Sequence, residues 1–66
     1  MEYLKEIEES IIKRIKLLEN MRKDFITGRK ESVGAIEDVY SMEIMKCDAV
    51  IEELASLLDY IQESFN

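Results

Sequence analysis

The chain has no histidine, no proline and no tryptophan, and it has only one cysteine and two glycines. Each shortage excludes something. With Cys47 alone, no disulfide can form within the chain, and one cysteine without histidine cannot supply a structural zinc site. No metal and no cofactor are therefore expected. Without proline, nothing in the sequence forbids long helices. No apolar run approaches the roughly 20 residues that cross a bilayer. The first ten residues, MEYLKEIEES, are acidic where a signal peptide is basic. The expectation is a cytoplasmic protein that does not enter a membrane. Its 66 residues make a single domain, residues 1–66, too small to bury much of its own surface. Small domains commonly rely on disulfides, a metal or a partner chain. Here only the partner chain remains.

Charge is abundant and uneven. Residues 1–30 carry eight Lys/Arg against six Asp/Glu, a net of +2, whereas residues 31–66 carry Lys46 alone against nine acids, a net of −8. Phosphate recognition needs concentrated Lys and Arg, so this balance argues against nucleic acid as the main partner. The basic side chains near Lys13 and Lys23 are expected to face the acidic second segment and to favour the C-terminal end of a first helix.

Apolar spacing points to an all-α fold, an antiparallel two-helix hairpin. The stretch TGRKES, Thr27 to Ser32, looks like the break, with Gly28 ending helix 1 and Ser32 capping helix 2. Helix 1 is expected over about residues 2–26, a loop over 27–31, and helix 2 over about 32–64. Leu4, Ile7, Ile11, Ile15, Leu18, Met21 and Phe25 recur at steps of three and four, as do Val33, Ile36, Tyr40, Ile44, Cys47, Ile51 and Leu54. A turn near residue 29 makes facing numbers add to about 58, which sets Leu18 against Tyr40 and Ile7 against Ile51. Arg14 and Glu43 then meet at the edge of the seam as a pair that fixes register.

In that register helix 1 ends opposite Leu54, and helix 2 continues with Leu57, Leu58, Ile61 and Phe65 uncovered. Val50 and Leu57 widen the stripe, which suits a helix with two or more neighbours. Val50, Leu57, Leu58, Ile61 and Phe65 are thus the candidate contacts to a partner or a second copy, and a homodimeric four-helix bundle is the expected assembly. Two other arrangements also cover the tail: a third helix after a break near Ala55, or a hairpin whose helices are exchanged between chains.

Catalytic patterns are faint. Glu6 and Glu9 form an E-x-x-E pair similar to half of the magnesium site of all-helical nucleotide pyrophosphohydrolases, but no aspartate follows a glutamate by three, so the matching half is missing. Cys47 lies on the core stripe, where a cysteine acts as a small hydrophobe. The segment ASLLDYI, Ala55 to Ile61, resembles the S-Q-E-L-D motif of hairpins that dephosphorylate sporulation response regulators only at Leu58, Asp59 and Ile61. The expected function is therefore non-enzymatic: a small interaction module, acting as adaptor, inhibitor or regulator of an unidentified protein through a helical oligomer. Two alternatives use charge instead. One is an acidic inhibitor that mimics nucleic acid through the row containing Glu37, Asp48, Glu52 and Asp59. The other is a Rop-like nucleic-acid-binding bundle, similar in architecture to the plasmid-copy-number hairpins though sharing no motif with them.

Overall fold

A computed structural model describes residues 2–65, with side chains described for residues 3–64. The described residues form two helices, α1 over Glu2–Glu31 and α2 over Ala35–Phe65, packed against each other as a hairpin. The hairpin is a slab about one helix thick, with Cα extents of 49 × 15 × 11 Å. Thirty residues rising about 1.5 Å each account for the long dimension.

The turn lies later than expected. Helix 1 does not end at Ile26. It runs through TGRK to Glu31, and Gly28 is an ordinary helical residue. A glycine alone is a weak stop, since it costs a helix interior only about 1 kcal/mol. At Gly28 the missing side chain serves packing: a Cβ there would lie 2.7 Å from Cε1 and Cζ of Tyr40, so the ring rests on the bare backbone. Thr27, which competes for backbone bonds, donates its hydroxyl to the Lys23 carbonyl one turn back and stays helical.

The glycine that turns the chain is Gly34, with φ of +70°. Ser32 does not cap α2 as expected. Its amide donates to the Arg29 carbonyl and closes α1, while the Asp38 amide donates to the Gly34 carbonyl and opens α2. Arg29 and Lys30 in the last turn of α1, and Glu37 and Asp38 in the first turn of α2, each suit the helix dipole.

Moving the turn moves the register. Arg22 Nε donates to Asp48 Oδ1 at 2.5 Å, and Tyr40 lies on Gly28 with its ring centroid 6.3 Å from that of Phe25. Facing numbers therefore add to about 65–70 rather than 58. Leu18 does not meet Tyr40, which sits ten residues further along α1. The Arg14–Glu43 pair does not form either: Arg14 is exposed and Glu43 accepts from Lys46 one turn away on its own helix.

The seam alternates steps of four and three on both helices. On α1 it runs Leu4, Glu8, Ile11, Ile15, Leu18, Arg22, Phe25, Arg29, all buried or half-buried. On α2 it runs Tyr40, Ile44, Cys47, Ile51, Leu54, Leu58, Ile61, again all buried or half-buried. This is the heptad spacing of an antiparallel coiled coil. Glu8 and Arg22, both half-buried, occupy places expected for Ile7 and Met21, an arrangement that suits side chains with an aliphatic stem and a charged end. Val33 and Ile36, expected on the α2 stripe, are exposed at the turn. Ile11, Leu18, Ile44, Cys47 and Ile61 form the buried core, and among the described residues no large side chain is completely enclosed. Cys47 is a free, buried thiol, as its place on the stripe implied.

Candidate interaction surface

The corrected register changes what is left uncovered. Ile61, expected to wait for another chain, is only 8% exposed, because α1 now extends far enough to cover it. Leu58 is half-buried in the same seam. The Phe65 side chain lies outside the described residues. Of the five candidate contacts, Val50 and Leu57 are the two that the hairpin leaves open, 38% and 46% exposed.

They belong to a larger pattern. On α1, Tyr3, Ile7, Leu17 and Met21 are exposed, and each stands one residue before a seam position. On α2, Val39, Val50, Leu57 and Tyr60 are exposed and also stand one residue before a seam position, and Ile36 continues this phase toward the turn. One residue is a rotation of about 100° about the helix axis. The two helices run in opposite directions and face each other, and these two reversals cancel. Residues that precede the seam on α1 and on α2 therefore project from the same broad side of the slab. Nine of the thirteen exposed large apolar side chains among the described residues lie there, so the pattern is not a scatter of surface hydrophobes.

The opposite side is different. Residues that follow the seam positions include Lys16, Lys23 and Lys30 on α1 and Asp48, Glu52 and Asp59 on α2. The Arg22–Asp48 bridge lies toward this side, with both partners well exposed, so screening by water leaves it little influence on stability. The hairpin thus has one apolar side and one charged side. Sequence reasoning found Val50 and Leu57 but set Ile7 and Met21 in the seam. The signal that separates them is phase: on α1 the sets 4, 11, 18, 25 and 8, 15, 22, 29 keep the heptad, and 7 and 21 fall one step outside it.

Glu6 and Glu9 are exposed on α1, and the described residues hold no cluster of three side chains able to ligate a metal. No helix is long and apolar enough to cross a membrane among the described residues. No protein-family model matches the chain, and no curated protein or solved structure is significantly similar to it.

Proposed function

We propose that this chain is a small non-enzymatic interaction module that works as a self-associated helical bundle, through which it acts as adaptor, inhibitor or regulator of another protein. The observation that supports the reading is the one-sided apolar face. A slab one helix thick cannot enclose its own core, and the seam reflects this: its apolar side chains are covered, but none of the large ones completely. Stacking a second layer on the apolar side would convert the slab into a four-helix bundle with an interior. The charged side would then remain outward, available to a further partner.

The test is a pair of substitutions on the open face. Val50→Asp with Leu57→Asp places two charges where association would bury them, a change that disfavours the assembly by several kcal/mol. Neither residue is in the seam, so the variant is expected to stay helical by circular dichroism while light scattering gives the single-chain mass. Met45→Asp, on the charged side, is the control and should leave the mass unchanged. A double variant with the same mass as the unaltered chain would contradict the proposal.

A further inference from the structure

Resting on that reading, we infer that the apolar side takes a second copy of this chain in one particular arrangement: α1 of each copy lies along α2 of the other, with both turns at the same end of the bundle. Three observations point to it.

The first is size. The apolar side spans the 49 × 15 Å plane of the slab, a face of roughly 700 Å², close to the ~800 Å² per partner of a standard stable interface.

The second is the order of side chains along the face. Residues whose numbers add to about 70 stand at the same height on the hairpin, as Arg22 and Asp48 do. A two-fold axis parallel to the helices keeps heights unchanged and lays α1 over α2 of the second copy. Ile7 then meets Leu57 and Tyr60, and Met21 meets Val50, apolar against apolar. Of the charged residues on the face, Arg14 meets Glu53 and Asp24 meets Lys46, each of opposite sign, while Glu31 comes level with Val39 and Glu43 with Gly28. Within one chain, the ion pairs among the described residues are Arg22–Asp48 and Lys46–Glu43, so Arg14, Asp24 and Glu53 remain available, while Lys46 would share its ammonium between Glu43 and Asp24. The competing two-fold axis, perpendicular to the helices, reverses heights and stacks α1 on α1 and α2 on α2. It leaves Val50 against Val50 but sets Leu57 near Glu43.

The third is charge. Over Glu2–Glu31, α1 carries eight Lys/Arg and seven Asp/Glu, a net of +1, and over Ala35–Phe65, α2 carries Lys46 against eight acids, a net of −7. Stacking like on like would place two strongly acidic helices about 10 Å apart. That spacing is near one Debye length, so the repulsion is only partly screened. Alternating the helices around the bundle removes this juxtaposition.

The test is disulfide cross-linking in a Cys47→Ala background, with Met21→Cys and Val50→Cys made as separate chains and helicity checked for each. The two are mixed in equal amounts, unfolded, refolded together and oxidised with copper–phenanthroline. The expected result is a reducible species of twice the 7.8 kDa chain mass in the mixture, joining unlike chains, and little from either variant alone. Ile7→Cys with Leu57→Cys is the second pair and should behave alike. Strong cross-linking of Val50→Cys by itself would overturn the inference in favour of turns at opposite ends. A dimeric mass by light scattering without any unlike cross-link in both pairs would also overturn it. A single-chain mass for the unaltered protein would instead remove self-association itself, which is a separate failure.

Discussion

Gly28 and Tyr40 give a test of the register that a single substitution cannot. Replacing a helix-interior glycine by alanine ordinarily stabilises by about 1 kcal/mol, since alanine restricts the unfolded chain. At Gly28 the new methyl would fall 2.7 Å from two ring carbons of Tyr40 and 3.1 Å from its hydroxyl oxygen. The ring is the far end of a side chain, but it is held beside Phe25, so relieving the overlap disturbs that aromatic pair. Overpacking of this kind costs about 1–3 kcal/mol. Gly28→Ala should therefore destabilise by about 0–2 kcal/mol in the unaltered chain. In a Tyr40→Ala background the methyl has room, and the same change should stabilise by about 1 kcal/mol. The double-mutant cycle then returns a coupling of about 1–3 kcal/mol. Thermal unfolding followed by circular dichroism resolves this, because 1 kcal/mol moves the midpoint of so small a domain by about 4–8 °C. Protein concentration must be fixed, since association contributes to apparent stability. Equal stabilisation by Gly28→Ala in both backgrounds would mean that Tyr40 does not lie on Gly28, and the register would fail.

Gly34→Ala behaves differently: no atom lies within 4 Å of the added Cβ, so the loss of about 1–2 kcal/mol expected for an alanine at φ of +70° is a backbone effect that no partner substitution relieves, read by the same melts. Ile61→Ala should lower stability to urea unfolding by about 2 kcal/mol, the low end for a buried isoleucine because the seam is shallow, whereas a neutral result would return Ile61 to solvent.

The helical hairpin was legible in the sequence because two signals agree: apolar steps of three and four, and no proline. The turn was not, for a specific reason. Two glycines lie six residues apart, and TGRKES is the more polar of their surroundings, so local turn chemistry favours Gly28. The decision comes from length matching. The α2 stripe continues unbroken from Tyr40 to Ile61, and covering all of it requires α1 to reach Glu31. The end of α1 lies five residues later and the start of α2 three later than expected, which raises the facing sum by about eight to ten and converts an uncovered tail into a covered one. The wide apolar side of α2 survived the correction, because it depends on spacing within one helix. Its counterpart on α1 was hidden, since Ile7 and Met21 fit a loose three-four stripe as well as the seam does. Only the half-burial of Glu8 and Arg22 shows that charged residues hold those seam places.

Self-association through the apolar side is the central claim, and sedimentation equilibrium of the unaltered chain at micromolar concentration tests it most directly. The account predicts twice the 7.8 kDa chain mass, falling toward the single-chain value on dilution. A folded, helical species that stays at 7.8 kDa across the concentration range would contradict it.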